Sequence, residues 1–140
     1  MKFINSEAAL LCANAAFLLI LIAVSYYSFR KLAQVLRHYT GSKQLAPTIQ
    51  KLIPFSRSIH VYASVLAGIV ATAHAIFFLI SYPLSGIKIY SGVVTLFIFS
   101  IVALLGLALQ HNRPNLQVRY RHRNVAVVFI TALLIHRLVS

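Results

Sequence analysis

Two pairs of histidines share one spacing. His60 and His74 lie in the apolar stretch "IHVYASVLAGIVATAHAIFFLI", and His122 and His136 lie in "RHRNVAVVFITALLIHRLVS". Each pair is separated by 14 residues, which on an α-helix is about 21 Å of rise and about 40° short of four whole turns. Both imidazoles of a pair therefore fall near one helix face, close to opposite ends of a membrane-length segment. A pair this far apart cannot converge on one zinc or mononuclear iron, whose ligands usually include an i,i+4 pair. Two helices that face each other with matched pairs can instead offer one imidazole from each side at two levels, the axial geometry of haem iron. The expected ligand pairs are His60 with His122 and His74 with His136, and the expected cofactors are two b-type haems, stacked closely enough for electrons to pass between them.

The remaining chemistry is sparse. Among 140 residues there is one cysteine, Cys12, and one acid, Glu7. An internal disulfide, a CxxC centre, a cysteine-held iron–sulfur cluster and paired-carboxylate catalysis all lack their residues. Met1 is the only methionine. Gly68 lies between His60 and His74 and removes a side chain, either where a porphyrin could press on the backbone or where two helices approach closely. Haem propionates are anions that seek cations, and Arg57, Arg121 and Arg123, with Arg119, are the candidates beside the His60/His122 level. Lys88 and Arg137 are the candidates at the other level. His38 and His111 are read as residues of the membrane interface.

The elements that must carry these residues follow from composition. The chain is 60% hydrophobic and only 10% charged, against about 45–50% and about 25% for soluble domains. The sequence predicts an all-α integral membrane protein, one domain over residues 1–140, built as a four-helix transmembrane bundle with haems between the second and fourth helices. The expected spans are 6–37, 57–82, 88–110 and 119–140, each long enough for about 30 Å of hydrocarbon. The second is expected to start after Pro54 and end at Tyr82–Pro83. The third is expected to end before Pro114. The fourth reaches spanning length only if its helix includes the basic run "RYRHR". The first span is read as a retained helix and not a cleaved signal, because its apolar run is long and only Lys2 precedes it.

Basic residues orient the spans. Arg30, Lys31, Arg37, Lys43, Lys51 and Arg57 cluster around the first connection, and Arg113, Arg119, Arg121 and Arg123 around the third; these six and four are ten of the 13 Lys and Arg residues. Both connections are expected in the cytoplasm and both termini outside it, with a bacterial or archaeal plasma membrane as the host. The net charge of +12 suits anionic lipid and docking of an acidic redox protein. Its place beside membrane spans argues against nucleic acid.

The segments that carry the histidines resemble a known group. "RYRHRNVAVVFITALLIHRLV" is similar to the last haem-bearing helix of the ferric-reductase-like transmembrane superfamily, "IHVYASVLAGIVATAHAIFFL" to its partner helix, and "YSGVVTLFIFSIVALLGLAL" to the glycine-containing helix between them. The superfamily includes ferric reductases, NADPH oxidases and the haem subunit of the methionine sulfoxide reductase system. The paired histidines with an intervening glycine also resemble the four-helix core of the cytochrome b of quinol-oxidising complexes. The likeness covers residues 57–140. It implies transmembrane electron transfer through two bis-histidine haems, with donor and acceptor proteins or a quinone as partners and the chain as a subunit of a larger complex or a homo-oligomer. No GxGxxG stretch is present, so nicotinamide oxidation is expected to fall to a partner. The rival expectations are a non-redox accessory subunit whose histidines only tie helices together, and a self-sufficient quinol or ferric reductase.

Overall fold

The computed structural model describes residues 2–40, 45–81, 86–111 and 115–139. They form four helices: α1 (Lys2–Thr40), α2 (Leu45–Ser81), α3 (Ile87–His111) and α4 (Leu116–Val139). All four contain stretches long and apolar enough to cross a membrane, Glu7–Val35, Leu52–Ser81, Ile87–His111 and Leu116–Val139. Large apolar side chains are exposed along each of them, among them Leu18 on α1, Ile69 on α2, Phe97 on α3 and Val127 on α4. On a water-soluble bundle that arrangement would leave several apolar faces in water; in a bilayer these faces meet lipid.

Helix ends depart from the expected spans for local reasons. α2 begins at Leu45, ahead of Pro54, which lies inside the helix. The proline removes one N–H from the ladder, yet the turn persists. The Ser56 hydroxyl donates to Ile53 O at 3.0 Å and that of Ser58 to Pro54 O at 3.4 Å. α4 also begins early, because Asn115 caps it: its Oδ1 accepts from the backbone N–H of Gln117 at 3.0 Å and of Val118 at 3.2 Å. The basic run 119–123 is thereby inside the helix, which gives α4 its length. Before α3, Gly86 has φ +116°, and its carbonyl accepts from Ile89 N–H at 3.2 Å. A side chain would be strained at that φ, so glycine suits the entry to this helix. Tyr82, Pro83, Lys43, Arg113 and Pro114 lie outside the described residues.

Most of the basic residues are helical. Arg30, Lys31 and Arg37 extend α1 past its apolar part, and Lys51 and Arg57 open α2. The chain divides into two compact units, Met1–Phe78 and Leu79–Ser140. Each is an antiparallel helical hairpin, α1 with α2 and α3 with α4.

The two hairpin cores use different residues. In the first, α1 buries Ala9, Ala16 and Ala23, seven residues apart, while α2 buries Ala63 and Ala67. Small side chains every two turns let helix backbones approach closely, the usual means of packing helices in lipid, where hydrophobic exclusion is weak. In the second, Phe129 of α4 is buried, and its ring stacks obliquely on Phe99 of α3, with centroids 5.3 Å apart and planes at 54°. Thr95 is the buried polar residue of that hairpin. Its hydroxyl is shared between Ser91 O of its own helix at 2.7 Å and Ala132 O of α4 at 3.3 Å.

Candidate functional site

All four spaced histidines are half-buried, and each meets the neighbouring helix of its own hairpin through Nδ1. His60 Nδ1 lies 2.8 Å from Ala23 O, and His74 Nδ1 lies 2.8 Å from Ala9 O. His122 Nδ1 lies 3.1 Å from Val102 O. His136 Nδ1 lies 2.9 Å from Ser91 Oγ. A carbonyl oxygen only accepts, so in the first three Nδ1 carries the proton and donates it. In the fourth, Ser91 Oγ also lies 2.9 Å from Lys88 O. With the hydroxyl proton turned to that carbonyl, the oxygen accepts from His136, and the Nδ1–H tautomer then satisfies both contacts. The neutral tautomer fixed in this way has its lone pair on Nε2. A hydrogen bond from the distal nitrogen to a carbonyl or hydroxyl is how proteins orient a histidine that ligates a metal and raise its basicity.

The 14-residue period of the histidines recurs on the helices they touch. The acceptors of α1, Ala9 and Ala23, are 14 apart, like His60 and His74 opposite them. On α3, Gly92 and Gly106 are also 14 apart, opposite His136 and His122. A methyl group built on Gly92 would come 3.3 Å from His136 Cε1, and one on Gly106 would come 3.4 Å from His122 Cε1. Gly106 lies one turn beyond Val102, and a methyl there would make an ordinary contact with the ring that reaches the Val102 carbonyl, whereas one at Gly92 would press on the His136 ring. Gly92 thus makes room for the imidazole of α4 that it faces. Seven residues from each histidine, at the midpoint, stand Ala67 on α2 and Phe129 on α4. Ala67 is completely buried.

Other contacts steady the rings. Tyr26 of α1 packs on His60 with centroids 5.6 Å apart, and Phe78 packs on His74 at 6.1 Å. Gly68 is half-buried beside Ala67, and its carbonyl accepts from the Thr72 hydroxyl at 2.8 Å. Arg57, Arg119, Arg121 and Arg123 are exposed, as are Lys88 and Arg137. The Arg123 guanidinium lies over the Tyr120 ring, 5.6 Å from its centroid. His38 and His111 are exposed near helix ends. A cavity of about 330 Å³ opens between α1 and α2, lined by Phe29, Leu32, Ile53 and Ile59 with Ser25 and Ser56. No histidine lines it, so it is separate from the imidazole positions.

No group of three or more His, Cys, Asp or Glu side chains that could hold a metal ion occurs among the described residues. That pattern is unlike a mononuclear zinc or iron site. The donor set is four single imidazoles, each with its Nδ1–H held by a neighbour, two per hairpin. Such donors fit haem iron, which takes one imidazole on each side of its plane.

The acceptors on α1 and α3 escaped the reading of the sequence, since a backbone carbonyl has no residue code. Ser91 and Gly92 escaped it too, although Gly92 and Gly106 repeat the histidine spacing and could have been noticed on that ground. No family model matches the chain, and no curated protein or solved structure shows significant similarity to it.

Proposed function

We propose that this chain is a transmembrane electron-transfer subunit that holds two b-type haems, one between His60 and His122 and one between His74 and His136. The observation that carries this reading is that all four spaced histidines are engaged through Nδ1 by the neighbouring helix, three of them by a backbone carbonyl that takes the Nδ1 proton. This is the arrangement in which Nε2 is the nitrogen that coordinates a metal. A resemblance to the ferric-reductase-like and quinol-oxidising cytochrome b helices agrees with it. When bound, haem supplies one-electron redox chemistry.

The protein's part is to bind, orient and insulate. The carbonyls of Ala23, Ala9 and Val102 and the Ser91 hydroxyl hold the imidazoles against rotation, and the midpoint residues Ala67 and Phe129 fill the space between levels. Arg57, Arg121 and Arg123 are the cations for propionates at the His60/His122 level. With the basic helix ends in the cytoplasm, that level is the inner one. The chain then connects a donor and an acceptor, proteins or a quinone, as part of a larger membrane complex. The test is a haem count: a pyridine haemochrome assay on chain purified in mild detergent, after expression with ample haem, should give two haems per chain. Protein that carries none overturns the reading.

A second reading rests on the same four bonds. Each histidine already bridges two helices, so the chain could be a non-redox accessory subunit in which imidazole–carbonyl bonds lock the hairpins. In that case histidine substitutions weaken the hairpins, and the purified chain shows no visible absorption band.

A further inference from the structure

Three of the four histidines donate directly to a backbone carbonyl, and the fourth does not. The acceptors on α1, Ala9 and Ala23, are 14 residues apart. The same step back along α3 from Val102, the acceptor for His122, reaches Lys88. His136 does reach the Lys88 carbonyl, but through a hydroxyl: Ser91 Oγ lies 2.9 Å from His136 Nδ1 and 2.9 Å from Lys88 O, so a hydroxyl that donates to Lys88 O accepts from His136 Nδ1–H. Ser25, Ser56 and Ser91 all turn their hydroxyls back onto a carbonyl three residues earlier. At Ser91 this back-bond also orients the oxygen lone pairs toward a histidine of the next helix. Gly92 beside it leaves the ring room to lie there.

We propose that Ser91 is a positioning residue for His136, a hydroxyl relay that makes this ligand's environment different from those of His60, His74 and His122 and so sets apart the potential of the haem that His136 ligates. The proposal rests on the haem reading above. A proton donated from Nδ1 gives the ring partial imidazolate character, which favours the ferric over the ferrous state of a ligated iron. At three positions the acceptor is a peptide carbonyl, which no substitution deletes. At His136 the acceptor is a side chain. Two hydrogen bonds in series polarise each other, so the relay depends on one oxygen atom.

The experiment is a potentiometric titration of the purified haem-loaded chain with Ser91→Ala and Ser91→Thr. Alanine suits a helix at least as well as serine, and threonine keeps the hydroxyl. Ser91→Ala should retain two haems and raise the midpoint potential of one of them. A tenfold loss of ferric preference, the low end for removal of such an outer partner, corresponds to about 59 mV for one electron. The other haem should not move, and Ser91→Thr should restore the first. Two retained haems with neither potential moved, or both moved alike, overturns the proposal. If the chain carries no haem, the haem reading fails separately. Ring ¹⁵N resonances of labelled histidine then decide Ser91: a change in the His136 Nδ1 signal with alanine and not with threonine supports the relay, and unchanged signals overturn it.

Discussion

The first hairpin seats its histidines against alanines, and the second seats them against glycines. On α1 the buried positions at seven-residue intervals read Ala9, Ala16, Ala23, facing His74, Ala67 and His60 in antiparallel order. On α3 the same intervals read Gly92, Phe99, Gly106, facing His136, Phe129 and His122. One solution is uniform, with buried alanines at every level of the seam. The other alternates, with an aromatic pair at the centre and glycines at the ends beside the imidazoles. The lesson is that the period belongs to the histidines and the residue sizes belong to the packing. Fourteen residues separate the histidines in both hairpins, while the volume between the two histidine levels is filled in two ways.

The largest effect that could break this comparison concerns which ligands act together. If equivalent levels of the two hairpins serve one haem each, His60→Ala and His122→Ala should each reduce the chain to one haem, and the two variants should keep the same reduced spectrum. His74→Ala and His136→Ala should keep the other. Haemochrome counts with low-temperature spectra check this. A spectral match between His60→Ala and His136→Ala would show that the levels are crossed and that the hairpins are not equivalent.

Next in size is the central layer. Phe129 is 6% exposed and packs on Phe99. Truncating a buried phenylalanine costs about 3–5 kcal/mol in water-soluble cores. In lipid much of the transfer contribution is absent and packing remains, so Phe129→Ala is expected near the lower end, about 3 kcal/mol. The matching change in the first hairpin, Ala67→Gly, should cost about 1 kcal/mol, the intrinsic helix penalty of glycine. Unfolding in mixed micelles with rising denaturing detergent measures both. Equal costs would mean that the aromatic pair adds nothing beyond what the alanine seam supplies.

The four long apolar helices were legible in the sequence, because hydropathy over 20 or more residues has few competing explanations. The spacing of His60, His74, His122 and His136 was legible too, since it depends only on counting. Helix ends were less so: the second helix was expected to start after Pro54, which proved to lie inside α2, because neighbouring turns and serine back-bonds tolerate the missing donor. Asn115 was a cap that the basic run after it obscured. The acceptors for the histidines were not legible, because Ala9, Ala23 and Val102 act through peptide oxygens that every residue has. Ser91 had a readable side chain but no pattern of its own; only its position beside His136 gives it a role.

A third comparison sharpens the role of the glycines. Replacing a helical glycine by alanine favours the helix by about 1 kcal/mol where the methyl fits. At Gly106 the added carbon would lie 3.4 Å from His122 Cε1, an ordinary contact, and Gly106→Ala should be at least as stable as the parent. At Gly92 the distance is 3.3 Å, and the ring that must yield is held by Ser91 at 2.9 Å. The propensity gain should be cancelled there, leaving Gly92→Ala about 1 kcal/mol less stable than Gly106→Ala. Thermal melts of the two variants side by side check the order, and the reverse order would remove the ring-cradle account of Gly92.

The smallest effect belongs to the hydroxyl that crosses the second hairpin. Thr95 is 7% exposed, and its single proton is shared between Ser91 O at 2.7 Å and Ala132 O at 3.3 Å. The shorter branch returns to its own helix and does not tie α3 to α4. Only the longer one does, and it ends on a carbonyl already engaged in the α4 ladder. In the first hairpin, Ser25, Ser56 and Thr72 likewise return to carbonyls of their own helices. Thr95→Val keeps the branched shape and deletes the proton. Hydrogen bonds between membrane helices average about 0.6 kcal/mol, and a shared, long one should be worth no more. The expected loss is therefore about 0.5 kcal/mol in micelle unfolding, several-fold below that of Phe129→Ala. A loss above about 2 kcal/mol would mean that the second hairpin is held by its polar thread and not by the Phe99–Phe129 pair. The contrast between the two hairpins would then be one of hydrogen bonding and not of side-chain volume.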